Sequence, residues 1–196
     1  MSQPLVLACG ALVSELRAVL AASGIAEQVE VRYLPANLHN RPERIVPALT
    51  ELIDPEREVL IGYADCGTGG AIDSLLATLP NARRLPGDHC YEFFTGTDRF
   101  RELAGAELGT FYLTDFLAKH FEALVWQGLG LDQHPQLRDM YFGNYTRVLL
   151  LTQSDDPAVV EAGQRAAEML GLRFEHEHVG LHQFHEAVGL SIRKVA

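Results

Sequence analysis

The chain has 196 residues, a length that suits one α/β domain and lets a folded chain bury about two-thirds or more of its unfolded surface. Hydrophobic residues make up 47% and charged residues 21%, the balance of an ordinary globular protein. A net charge of −10 and a pI near 5.2 argue against sequence-independent nucleic-acid binding, which needs a basic face. They leave small anionic ligands open, because a local basic pocket can sit inside an acidic surface.

Strand-type runs alternate with helical patterns. "PLVLA" (4–8) reads as a strand, and "ALVSELRAVLAA" (11–22) as a helix with Leu12, Leu16, Val19 and Leu20 on one face, ended by Gly24. "VEVRYLP" (29–35) is a second strand. "RPERIVPALTELI" (41–53) is helical, with Pro42 suited to the first turn and Pro47 bending it. "EVLIGYAD" (58–65) is a buried strand, "GGAIDSLLATL" (69–79) a helix and "ARRLP" (82–86) a short strand. An aromatic stretch, "YEFFTG", precedes a helix at 97–104. "GTFYLT" (109–114) is a strand, "DFLAKHFEALVWQGLG" (115–130) the longest helix and "QLRDMYFGNY" (136–145) a short one. "RVLLLTQ" (147–153) is a strand. "DPAVVEAGQRAAEMLGL" (156–172) is a helix with Asp156 as N-cap and Pro157 at its first position. "RFEHEHVG" (173–180) is a closing strand of alternating polarity.

This alternation implies right-handed βαβ units and an α/β fold, layered α/β/α with a largely parallel sheet. Glycines, a proline and an asparagine cluster at Gly128, Gly130, Pro135, Gly143 and Asn144. That leaves open a subdivision near 128–145 into two pseudo-related halves of a single domain over 1–196. The N-terminus lacks a basic leader, with Glu15 and Arg17 interrupting its apolar run, and no apolar stretch approaches 18 residues. Three cysteines are too few for a secreted scaffold. The expectation is a cytoplasmic protein with free thiols and no membrane segment.

The three cysteines occupy one kind of position. Cys9 follows the first strand, Cys66 the third and Cys90 the fourth after a short loop. In parallel α/β sheets ligands bind outside the carboxyl ends of the strands, so all three should point to one edge. A single cysteine there is more often a small buried hydrophobe. Three in equivalent places, with none elsewhere, point to a shared metal site. Soft thiolates favour zinc or an iron–sulfur cluster. On tetrahedral zinc, three thiolates leave a fourth position for His89 or water. On a four-iron cluster they leave one iron open, unlike the four-cysteine electron carriers. No CxxC pair is present, so the argument rests on topology. A metal-free alternative takes "CGTGG" (66–70) as a run of amides at a helix N-terminus. Such an end binds phosphate or carboxylate and activates Cys66 as a nucleophile.

Other polar residues join this edge. His39, Arg41 and Arg44 in "NLHNRPERI" follow the second strand and suit an anionic substrate, or else a solvated loop. Gly67, Thr68 and Gly69 offer further substrate contacts, and Asn144 and Tyr145 offer them from "YFGNY". Asp65 and Glu92 flank the cysteines as candidate acid–base groups. Asp115 reads as a helix cap, Trp126 as packing, and His176 and His178 as the polar face of an edge strand.

The segments "ACGAL", "LPANLHNRPERI", "YADCGTGG", "GDHCYEFF", "GTFYLTDFLAKHF" and "LGLDQHPQLRDMYFGNYTRV" resemble the domain-of-unknown-function family 1638 of bacteria and archaea, over about residues 5–180. The resemblance implies context alone: members are often encountered beside corrinoid-dependent methyltransferase components that demethylate methylamines and betaines. It supplies no catalytic residues. Three accounts follow. The first is a metal-dependent enzyme (a lyase or transferase) or accessory protein of corrinoid-linked one-carbon metabolism, with an iron–sulfur cluster or zinc on Cys9, Cys66, Cys90 and His89. The second is a non-catalytic module that docks a corrinoid protein or methyltransferase through Tyr91, Phe93, Phe94 and the segment 141–145. The third is a metal-free thiol enzyme using Cys66.

Overall fold

The computed structural model describes residues 3–192. Its α/β character matches the sequence pattern, with every strand pair among the described residues parallel. The strands fall into two sheets rather than one: a four-stranded sheet and a three-stranded sheet. The chain divides accordingly into two compact units, one of residues up to Gly96 together with those from Leu181 onward, the other Thr97–Gly180. The Gly- and Pro-containing stretch 128–145 lies inside the second unit.

The first unit has strand order β2-β1-β3-β4, with β1 Leu5–Cys9, β2 Glu30–Leu34, β3 Val59–Gly62 and β4 Ala82–Arg84. β1 and β3 are apolar at nearly every position because a central parallel strand is buried on both faces. Leu5, Leu7, Val59 and Ile61 share one core with Ile45 and Leu49 of α2 (Ile45–Thr50) and Ile72 of α3 (Ala71–Leu76). A 3-10 turn leads from β1 into α1 (Val13–Ala22), whose Leu16, Val19 and Leu20 are buried. Another 3-10 turn, Pro42–Arg44, opens α2. The aromatic stretch is a short helix, α4 (Tyr91–Thr95), and its Phe93 and Phe94 are core residues. They pack on Phe184 of α9 (His182–Ile192), with ring centroids 5.9 and 5.3 Å away. The expected docking role of Phe93 and Phe94 is therefore corrected: both rings are consumed by packing against a helix whose pattern the sequence reading did not pick out.

The second unit has order β5-β6-β7, with β5 Thr110–Leu113, β6 Arg147–Thr152 and β7 Arg173–His178. β6 is central and buried throughout. β7 is an edge strand, and His176 and His178 are exposed on it as expected. Both imidazoles bond the buried Thr152 hydroxyl, at 2.9 and 3.1 Å. α5 is Thr97–Ala106, and α7 is Leu137–Phe142. α8 (Pro157–Leu170) starts as the sequence suggests, with Asp156 accepting a bond from Ala158 N–H. The long helix expected over 115–130 is interrupted. α6 covers Asp115–Lys119 and a π turn covers Glu122–Trp126. Ala118, Phe121 and Val125 are all core, so this segment presents no apolar pairing face from those positions. Among the described residues no helix is long and apolar enough to cross a membrane.

Candidate functional site: three thiols at one sheet edge

The first unit builds its site from the carboxyl ends of its strands. Cys9 is the last residue of β1, and the chain turns immediately at Gly10. A side chain at Gly10 would bring its Cβ within 2.8 Å of the Leu34 carbonyl, so glycine is required where β1 and β2 end side by side. After β3, Tyr63 and Ala64 stay buried and the loop 65–70 begins. Cys66 N–H donates to the Asp88 carbonyl at 3.0 Å and Asp65 N–H to the Gly87 carbonyl at 3.2 Å. These bonds tie the loop after β3 to the loop after β4 and bring Cys66 beside Cys90. Arg84 shapes the second loop. Its guanidinium grips Asp73 in two bonds of 2.6 and 2.8 Å and donates to the carbonyls of Leu85 and Gly87.

The three thiols are free and partly exposed. They are close enough to influence one another. Burial pushes the Cys66 thiol up to about 12, and the Cys9 sulfur adds to the shift. Burial likewise lifts Cys90 well above its ordinary value, with Cys66 and Cys9 contributing, and it raises Cys9. At neutral pH all three are therefore protonated. Ala11 N–H donates to the Cys9 sulfur at 3.5 Å, and backbone amides lower the Cys66 and Cys90 thiols by less than burial raises them. Such donors strengthen as acceptors become charged, which favours a thiolate over a thiol once a cation is present.

Cys66 carries the local strain. Among the described residues it is the one non-glycine residue with positive φ, at +50°, and it sits beside Gly67, Gly69 and Gly70 at +80°, +64° and +84°. A left-handed β-carbon-bearing residue costs about 1 kcal/mol or more and persists where the surroundings impose it.

Tyr63 is the residue that sequence reasoning missed. It is 2% exposed, and its Oη has no hydrogen-bond partner. The Cys9 sulfur acts on this hydroxyl electrostatically, and the Cys66 sulfur does so more weakly. Burial first, then these two sulfurs, hold the phenol far above its ordinary ionisation range. The signal in the sequence was a lone phenol just past an apolar strand, two residues after Ile61 and three before Cys66.

The remaining candidates sort themselves by what they touch. The Asp65 carboxylate accepts from Thr68 Oγ1 and Gly70 N–H at 2.7 Å and from Gly69 N–H at 3.0 Å. Burial pushes its pKa up, and these bonds outweigh that and hold it below the usual range. Thr68 and Gly69, expected to meet substrate, thus give their donors to Asp65, and the amides of "CGTGG" are no open anion cradle. Gly67 is exposed beside Pro42. Glu92 accepts from Asp88 and His89 N–H at 2.8 and 3.2 Å, closing the start of α4. Both candidate acid–base carboxylates are therefore engaged in shaping the loops that hold Cys66 and Cys90. His39 and His89 are exposed residues near one another. Desolvation, then His89, lowers the His39 pKa, although part of the side chain stays open to solvent. Arg41 and Arg44 are exposed around the Pro42–Arg44 turn. Asn144 and Tyr145 belong to the second unit, where Tyr145 packs edge-on to Phe111 at 5.8 Å.

By donor type, three sulfurs suit a soft metal. Their spacing does not form a closed cage: among the described residues, no group of three or more His, Cys, Asp or Glu side chains is arranged to hold a metal ion.

Parallel sheets of this order, with thiols gathered at the carboxyl ends of one of them, define an α/β protein with a cysteine-lined sheet edge. The chain belongs to the family described as a protein of unknown function, DUF1638, whose model matches residues 33–188. No curated protein and no solved structure matches the chain.

Proposed function

We propose that Cys9, Cys66 and Cys90 are the working centre of this protein and hold a soft metal group, an iron–sulfur cluster or else zinc, with His89 as the candidate fourth ligand. The observation that carries this reading is the gathering of all three cysteines of the chain, from three separate strand ends, into one desolvated patch. A metal cation supplies the positive charge that lets neighbouring buried thiols ionise together, an arrangement otherwise opposed by burial. The role that fits is an enzyme or accessory protein linked to corrinoid-dependent one-carbon metabolism. That link rests on the context the resemblance implies, since the family itself is described as one of unknown function. The substrate class is a small or anionic molecule met by His39, Arg41 and Arg44, which lie exposed in the loop region that follows β2.

The thiol-enzyme reading is weakened by the same patch. A Cys66 pKa pushed up to about 12 leaves roughly one thiol in 10⁵ ionised at pH 7, too few for an unassisted nucleophile. The test is metal and acid-labile sulfide analysis, with an absorption spectrum, on protein purified without oxygen. Iron with sulfide and visible colour supports a cluster; about one zinc per chain without colour supports the alternative. Serine replacement of each cysteine in turn should abolish stoichiometric metal. Full retention of metal by all three variants overturns the proposal.

A further inference from the structure

We propose that His176 and His178, joined through the Thr152 hydroxyl, form a bifunctional acid–base site in the second unit, suited to enolising a small carbonyl compound. The site is independent of the thiols. Thr152 is 1% exposed, at the carboxyl end of the central strand β6. Its carbonyl accepts from Val179 and Gly180 N–H at 2.9 and 3.1 Å, which pins the end of β7 beside it. Its Oγ1 lies 2.9 Å from His176 Nε2 and 3.1 Å from His178 Nδ1, and among the described residues these are its hydrogen-bond partners. A hydroxyl has one proton and donates once. With both rings neutral, the two bonds form together only if one imidazole donates to Oγ1 and the other accepts from it. Asp155 sets the direction. Its carboxylate stands 3.7 Å from His178 Nδ1, and negative charge there favours an N–H over a lone pair. His178 Nδ1–H thus donates to Oγ1, Oγ1–H donates to His176 Nε2, and both rings are held as Nδ1–H tautomers.

The outer nitrogens then differ in kind. His178 Nε2 is a lone pair, a base, and His176 Nδ1–H is a donor. Both residues are exposed. Gly180, at φ +63°, keeps the base open, because a β-carbon there would rest 3.7 Å from His178 Nε2. Glu175 and Glu177 alternate onto the opposite face of β7, where Arg147 and Arg99 bond them. A C–H beside a carbonyl can give its proton to His178 Nε2. His178 Nδ1–H then passes to Oγ1, the Oγ1 proton to His176 Nε2, and His176 Nδ1–H to the carbonyl oxygen. The C–H electron pair becomes the C=C bond of the enol, and the carbonyl π pair takes the new proton. One proton enters the site and one leaves it, so no oxidant or co-reactant is required. Both rings end as Nε2–H tautomers, and return of the enol to the carbonyl form by the reverse path restores them.

The test is nitrogen NMR of the two rings in the full chain, at a pH where both are neutral, with phenylpyruvate enolisation as the kinetic probe. Wild type should show His176 and His178 both as Nδ1–H tautomers, the form free histidine disfavours. Thr152→Val keeps the side-chain shape and removes the shared proton, so both rings should revert to Nε2–H. Thr152→Ser should keep the wild-type pattern. Circular dichroism melts establish that the variants are folded. Wild type should speed phenylpyruvate enolisation over buffer, and His178→Ala should remove about 100-fold of that acceleration or more. Thr152→Val should fall with it, while Thr152→Ser stays near wild type. Unlike tautomers on the two rings of wild type, or Nε2–H on both, overturn the arrangement. The expected tautomers without any acceleration of phenylpyruvate overturn the activity and leave a structural bridge. Acceleration that survives in His178→Ala places the chemistry elsewhere and overturns the assignment of the base.

Discussion

The two units treat the carboxyl ends of their strands in opposite ways. In the second, Asp115 is 7% exposed and its carboxylate accepts from Gln153 N–H at 2.9 Å, from Ser154 N–H at 3.0 Å and from the Ser154 hydroxyl. Asp115 N–H in turn donates to the Gln153 side-chain oxygen at 3.0 Å, and the Gln153 amide nitrogen donates to the Leu151 carbonyl. Every polar group named there is spent on another. In the first unit Asp65 performs the corresponding loop-tying task, but the same edge leaves three thiols in a desolvated patch and a phenol without a partner. A closed network contributes stability; an unfinished one costs stability and is kept where something else completes it. The contrast sets the first unit's edge apart from the second's without reference to any sequence motif.

The largest expected effect is at the closed edge. Asp115→Ala strands buried donors that bonded a charged acceptor and should destabilise by about 3 kcal/mol or more in urea unfolding. Asp65→Ala, at a partly exposed carboxylate, should cost about 1–2 kcal/mol. Equal losses at the two sites would erase the distinction drawn between the edges.

The thiols should give the metal-free protein an alkaline weakness. Their folded pKa values are raised, so the unfolded chain ionises first, near about 8.5. Below that pH both states hold the protons and no stability is lost. As the pH climbs toward the folded values the unfolded state binds fewer protons, and stability falls by at most about 1.4 kcal/mol per pH unit per thiol, less where sulfur is partly exposed. Urea midpoints at pH 8 and pH 10 should diverge in the wild type and converge in the triple Cys→Ala variant. A wild-type midpoint flat over that span would mean the thiols are not desolvated.

The smallest effect sharpens the comparison at one residue. With φ at +50°, Cys66→Gly relieves the left-handed strain that Cys66→Ala retains. The glycine variant should be more stable than the alanine variant by about 1 kcal/mol, while both lose metal. Thermal melts of the two, side by side, decide it; no difference between them would show that the loop relaxes freely and that its strain has no function.

Much of the fold was legible because its central strands are unambiguous. "LVLA", "VLIG" and "RVLLLT" are apolar runs bounded by turn residues, and they are β1, β3 and β6. Asp156 and Pro157 announced the start of α8 by capping chemistry alone. The pattern failed where packing overrides periodicity. Residues 115–130 look like one helix, but Phe121 and Val125 must both reach the core, and a π turn supplies the extra residue that lets them. "YEFF" resembled a surface patch because nothing in its own letters shows Phe184, about 90 residues on, folding back to cover Phe93 and Phe94. Asp115 looked like a cap, yet Thr114 caps α6 and Asp115 holds a loop 38 residues away.

The sequence by itself determined the strand ends and therefore the position of each cysteine relative to a sheet, because hydrophobic runs and turn residues are local signals. It also placed Asp65 and Glu92 beside them. Only the tertiary structure decided that those carboxylates face their own loops, that Cys66 and Cys90 are drawn together through the bonds to Gly87 and Asp88, and that Tyr63 is buried with its hydroxyl in the core. These facts depend on which groups remain unsatisfied after all the others have paired, and that remainder is a property of the whole packed unit, not of any segment within it.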